Sequence, residues 1–188
     1  MATTKIQAAP QTAKRSFSAG SVISAIGRWI VRNRIYLIAF AIPAVLTYLA
    51  YALFGLYPFG EESVLCLDLN GQYVYYFEAL RDAFWGDGSI FYNWSRNLSG
   101  EFMGIIGYYL ASPFTLIVML LPEKFMLSSL LIMQLCKLGA AGATFNYFLQ
   151  KRRGVQPYPS LLFSTMYAMM AYGVIQLIDP MWLDGLVF

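Results

Sequence analysis

"IYLIAFAIPAVLTYLAYALFGLY", residues 35–57, runs for 23 residues without a charge. As an α-helix it would span about 34 Å, and a bilayer hydrocarbon core is about 30 Å thick. A run of this length reads as a transmembrane helix, which Pro43 can kink without breaking. Six bases (Lys5, Lys14, Arg15, Arg28, Arg32, Arg34) and no acid precede it, which puts the N-terminus on the cytoplasmic side. The run is too long for a signal-peptide core and no small-residue cleavage site follows it, so it is expected to stay as a signal anchor. Basic residues abutting a span are a topology signal near anionic membrane lipid and no nucleic-acid arm.

The rest of the composition agrees. The chain is 59% hydrophobic and 12% charged, against roughly a quarter charged in a soluble domain. There is no histidine, which removes imidazole base catalysis and most zinc chemistry. Cys66 stands beside an acidic segment and Cys136 inside an apolar one, so no disulfide between them is expected. No phosphate-cradling glycine loop, Ser-His-Asp set or cysteine-rich metal motif is present.

Outward from the first span, the fold class expected is all-α, a polytopic integral membrane protein. Residues 1–18 are read as a disordered cytoplasmic tail. Residues 19–34 are read as a basic interfacial helix, with Val22, Ile26, Trp29 and Ile30 at helical spacing. Residues 58–124 form a long external loop, and its part from Phe59 to Gly104 holds seven acids and two bases. Loops of that length carry function or structure of their own. Three apolar runs follow: 105–121, interrupted by Ser112-Pro113; 125–149, with Lys137 as its one charge; and 158–178, with none. If all three crossed, Lys151-Arg152-Arg153 would fall outside, against the positive-inside rule. The rule is met if 105–121 is interfacial or re-entrant and 125–149 and 158–178 cross. The basic turn 150–157 is then cytoplasmic, and 179–188 begins a second external loop. An apolar run restarts in "MWLDGLVF" (residues 181–188), so the chain is expected to be part of a longer protein.

Within the long loop, "DLNGQYVYYFEALRDAF" (residues 68–84) has helical amphipathicity. Leu69, Tyr73, Tyr76, Phe77, Leu80 and Phe84 share one face, and Asp68, Gln72, Tyr75, Glu78 and Asp82 the other. Asp68 at its start could be no more than an N-cap, or it could be a working carboxylate. The aromatic residues, Trp94 among them, could form a membrane-interface belt or meet a ligand. Lys137 is costly at mid-span, by about 2.5–3.5 kcal/mol on insertion scales. It is therefore expected to face the interior and either pair with an acid or meet a lipid phosphate. Gly139, Gly142 and Ala143 beside it permit close helix packing.

"YPFGEESVLCLDLNGQYVYYFEALRD", "FYNWSRNLSGEFMGIIGYYLASPFTLIVMLLP", "LLIMQLCKLGAAGATFNYFL" and "LIDPMWLDGLVF" occur in this order. Together they resemble the N-terminal region of the YfhO family of bacterial membrane proteins. That family resembles glycosyltransferases of the GT-C fold, which carry interfacial helices in the first external loop. The resemblance implies transfer of a sugar from a polyprenyl-phosphate carrier to an extracytoplasmic envelope polymer such as lipoteichoic acid. It singles out Asp68 as the essential acid, acting as base or metal ligand, with Asp184 or Asp179 as a second acid and Glu61 and Glu62 as runners-up. Asn70, Gln72, Tyr73, Tyr76 and Lys137 are candidates for binding substrate. A divalent cation (Mg or Mn), if used, would be held by Asp68 with neighbouring oxygens. In a bacterial protein the glycosylation patterns at Asn93-Trp94-Ser95 and Asn97-Leu98-Ser99 would be coincidental. A flippase or transporter of lipid-linked sugars, with Lys137 facing substrate, and a non-catalytic envelope assembly protein are the alternatives.

Overall fold

The computed structural model describes residues 19–95 and 100–188. The expected tail, residues 1–18, and the Asn97-Leu98-Ser99 pattern lie outside the described residues. The chain is mostly helical, and two helices are long and apolar enough to cross a membrane, Gly20–Leu53 and Glu123–Arg153. Its contacts divide it into two units, residues 1–34 and 35–188. The described part of the first is wholly helical, exposes Ile23, Ile26 and Trp29, and has Asn33 Nδ2 donating to the Trp29 carbonyl at 2.8 Å.

Helix α1 (Ala19–Leu53) contains the decisive apolar run, and Pro43 lies inside it. A proline has no N–H, so the carbonyl four residues earlier, that of Ala39, loses its helical donor. Against this point packs helix α5 (Met126–Arg153). A side chain added at Gly142 would collide with the Ala39 carbonyl oxygen and lie 3.0 Å from Pro43 Cγ; one added at Gly139 would lie 2.9 Å from the Phe40 ring. Only the missing Cβ atoms let the two helices meet so closely. Tyr51 Oη extends the contact by donating to Gln134 Oε1 at 3.2 Å.

The long segment between these helices folds into short pieces. A π-turn at Leu69–Tyr73 leads into α2 (Val74–Trp85). A two-residue antiparallel pair, β1 (Tyr92–Asn93) with β2 (Gly100–Glu101), follows. Then come α3 (Met103–Ile105), a second π-turn (Ile106–Leu110) and α4 (Thr115–Leu120). The apolar run 105–121 is thus no single helix, because its chain breaks around Ser112-Pro113. Tyr73, Phe77 and Leu80 bury the aromatic face of α2 against Phe102, Ile105, Leu110, Val118 and Met133. Protein covers that face from Tyr73 to Leu80, and Phe84 at its far end is 63% exposed.

Helix α4 ends with carbonyls that lack helical donors. Arg81 Nη1, from α2, donates to Val118 O at 2.6 Å, to Met119 O at 3.1 Å and to Leu121 O, and Trp85 Nε1 donates to Met119 O at 3.0 Å. The guanidinium thereby also complements the negative end of the helix dipole.

Helix α5 ends on Lys151, Arg152 and Arg153, which favour a helix C-terminus, and then on Gly154 at φ +66°, a conformation few other residues adopt. Pro157 opens α6 (Pro157–Ala168), where its missing N–H costs nothing. The two helices are joined by a buried polar cluster. Asn146 Nδ2 donates to Ser160 Oγ at 3.0 Å and to Ser164 Oγ at 3.3 Å, and Gln150 Nε2 donates to Asn146 Oδ1 at 2.6 Å. The apolar run 158–178 is interrupted at Met169-Met170, beyond which stand α7 (Ala171–Ile175) and α8 (Pro180–Val187). A 12-residue α6 is about 18 Å long.

Candidate functional site

Asp68 opens the π-turn before α2, but its side chain makes no capping hydrogen bond. Its Oδ1 instead accepts from Gln72 Nε2 at 2.9 Å, one turn on. The residue before it, Leu67, has φ +48°, a left-handed conformation costing a branched side chain about 1–2 kcal/mol. That turn redirects the chain where Asp68 enters, and strain of this kind concentrates at functional positions.

Asp179 precedes α8 and likewise makes no capping bond. It faces Asp68. Burial holds the Asp179 carboxyl above the usual carboxylate range, and the adjacent Asp68 carboxyl, within hydrogen-bonding reach, raises it further. Two carboxyl groups this close resist losing both protons. The pair brings together two segments remote in sequence.

Around the pair stand tyrosines. Tyr73 is fully buried, and its hydroxyl has no side-chain hydrogen-bond partner among the described residues. Burial, then the negative charge of Asp179, pushes its phenol well above the usual range, and the backbone of Met181 partly offsets this. The Tyr73 ring meets Tyr109 edge-on at 5.5 Å, and Tyr76 meets Tyr109 at 5.1 Å. The Tyr109 phenol is raised as well, by burial first and then by Tyr76, Tyr108, Asp68 and Asp179. Proton transfer and hydrogen bonding to an oxygen-rich ligand are the chemistry such a group can perform.

Asp184 lies elsewhere. Its Oδ2 is 2.9 Å from Lys137 Nζ, and its Oδ1 accepts from Ser112 Oγ at 3.0 Å. Lys137 Nζ also donates to Pro180 O at 2.8 Å and sits 5.7 Å from the Phe114 ring centre. With 2% of its side chain exposed, Lys137 has found the acid expected for a mid-span charge. One residue toward the N-terminus from Pro180 is Asp179, so this ion pair anchors the end of the segment that presents the second carboxyl. Gln134 Nε2 ties the other side of that segment by donating to Leu177 O at 2.7 Å.

The remaining candidates separate. Asn70 is exposed on the π-turn, and Gln72 and Tyr76 are half-buried beside Asp68 and Tyr109. Glu61 and Glu62 are exposed, and neither is among the groups acting on Asp179 or Tyr73. Trp94 is 81% exposed and stacks edge-on to Tyr92. Tyr109, Ser112 and Gln134 were not singled out from the sequence. They sit in apolar runs, where no local pattern separates a polar contact from ordinary packing. No group of three metal-ligating side chains occurs among the described residues.

The fold and site define a helical membrane protein with a paired-acid, tyrosine-lined centre between a long acidic segment and the start of α8. A family model described as bacterial membrane protein YfhO matches residues 39–188, and the chain belongs to that family. No curated protein and no solved structure matches it.

Proposed function

We propose that this protein acts in a GT-C-like, multi-pass membrane glycosyltransferase with its N-terminus in the cytoplasm and the Asp68 face outside. It would transfer a sugar from a polyprenyl-phosphate carrier to an envelope polymer such as lipoteichoic acid. The observation that supports this reading best is the convergence of Asp68 and Asp179, two carboxyls from separate segments, with neither used to cap a helix.

In the proposed reaction, Asp68 takes the proton of an acceptor hydroxyl. The acceptor oxygen bonds to the anomeric carbon, the bond from that carbon to phosphate oxygen breaks, and the polyprenyl phosphate leaves with the electron pair. Gln72 orients the Asp68 carboxylate through its 2.9 Å hydrogen bond. Burial and the neighbouring Asp68 raise the Asp179 carboxyl, so two negative charges on the pair are disfavoured. A hard divalent cation fits this donor set, because Mg²⁺ is commonly held by one or two carboxylates together with substrate phosphate and water. In that alternative to its role as base, Asp68 would hold it together with substrate phosphate and water, and it would supply charge neutralisation to the departing phosphate.

Asp68→Asn in the full chain tests the assignment. Loss of a general base lowers transfer by about 10²–10⁴-fold. The measurement is transfer of radiolabelled sugar from the polyprenyl-phosphate donor in membranes, alongside the level of inserted protein. A stably inserted variant that transfers at the wild-type rate overturns it.

A further inference from the structure

We infer that the cavity along the polar face of α2 is a subsite for an uncharged sugar ring. The cavity has a volume of about 940 Å³, and Tyr75, Glu78, Asp82, Trp85 and Glu123 are on its wall. That size lies within the range of small-molecule sites. Its charge is what selects the ligand. Among the described residues, three acids, Glu78, Asp82 and Glu123, and one base, Arg81, line it. The Arg81 Nη1 is already committed to the carbonyls of Val118, Met119 and Leu121 at the end of α4. A phosphate entering here would meet net negative charge and a cation engaged elsewhere. Hydroxyl groups would meet acceptors.

Two further features suit a pyranose. Tyr75 and Trp85 are 60% and 70% exposed, so flat aromatic surface is open to the C–H face of a ring. The main chain at Asp82 is fixed by a glycine-containing turn, in which Gly86 and Gly88 N–H groups donate to its backbone carbonyl at 2.9 and 3.2 Å. A Cβ at Gly88 would stand 2.8 Å from the Ala83 backbone nitrogen and 2.9 Å from the Asp82 carbonyl carbon, so the turn needs glycine there. The cavity also adjoins the paired acids, because Gln72 lines it while donating to Asp68, and Tyr76 lines it while packing on Tyr109. A ring seated on Tyr75 therefore lies beside the carboxylate that would take its proton or flank its anomeric carbon.

The inference rests on the transferase reading for its role, and binding without turnover separates the two. The ligands are methyl β-D-glucopyranoside and methyl N-acetyl-β-D-glucosaminide, offered to the full chain in nanodiscs and followed by saturation-transfer NMR. Ring-proton saturation is expected for at least one of them, is retained in Asp68→Asn, and is not displaced by inorganic phosphate. Tyr75→Ala and Glu78→Gln, both at exposed positions, weaken it by about tenfold. In transfer assays the same variants raise KM for the donor if the donor sugar occupies the cavity. They raise KM for the acceptor if an acceptor sugar does. Absence of saturation from both glycosides overturns the subsite, as does saturation unchanged in both variants or displaced by phosphate. Sugar binding by a parent protein that transfers no sugar from the polyprenyl-phosphate donor overturns the transferase reading and leaves the subsite standing.

Discussion

Replacing Asp184 by Leu removes the carboxylate from a lysine that is 2% exposed. The ammonium keeps the Pro180 carbonyl and the Phe114 ring, but it loses its only charged partner among the described residues. Breaking a buried pair in this way costs about 3–5 kcal/mol. Asp184 retains 22% exposure, so the lower end, about 3 kcal/mol, applies here. Lys137→Met costs less, because the remaining carboxylate keeps the Ser112 hydroxyl and some water; about 1–2 kcal/mol is expected for it. The double change Lys137→Met/Asp184→Leu leaves neither charge and fills the space with apolar groups, at about 0–1 kcal/mol. Since the single costs sum to about 4–5 kcal/mol and the double costs about 0–1 kcal/mol, the two sites should be coupled by about 3–5 kcal/mol. Reversible denaturation by sodium dodecyl sulfate in bicelles, carried out on all four proteins, measures the cycle. A double variant as unstable as the sum of the singles, with coupling below about 0.5 kcal/mol, refutes the ion pair as a structural tie.

Gly142→Ala should lower stability by about 1–3 kcal/mol through collision with the Ala39 carbonyl, while Gly107→Ala, whose methyl meets open space, should leave the denaturation midpoint where it is. Asp179 gives a pH test. Its folded-state carboxyl is raised by burial and by Asp68, so the stability it contributes is complete below the unfolded carboxylate value and declines as pH rises through the folded one. Asp179→Asn should therefore melt higher than the parent at neutral pH, with the difference fading in acid. A gap that widens on acidification would contradict the paired-acid geometry.

Much of the architecture was legible in local pattern. A helix repeats every 3.6 residues, so the uncharged run 35–57, the apolar run of α5 and the two faces of α2 can be read from neighbours one to four positions apart. The same pattern put Asp68, Gln72, Glu78 and Asp82 on one side, and the motifs around Asp68 carried the family resemblance. Ser112-Pro113 marked the break in 105–121 in advance, but hydrophobicity did not reveal that the run 158–178 breaks into short helices. Burial inside protein and burial in lipid favour the same apolar residues, and the breaks come at Ser112-Pro113 and Met169-Met170.

The sequence by itself determined a membrane protein, the helical periodicity of its long elements and an acidic segment with Asp68 at the head of an amphipathic helix. Tertiary structure alone decided between two acids five residues apart. Asp184 was taken up by Lys137 and Ser112, and Asp179 was turned toward Asp68. It also committed Arg81 to a helix end and left the cavity beside it acidic. The physical reason is the range of the forces involved. Periodicity reports on side chains one turn apart, whereas a carboxyl's partner is set by how helices cross, and here close passage at Gly139 and Gly142 helps set that crossing.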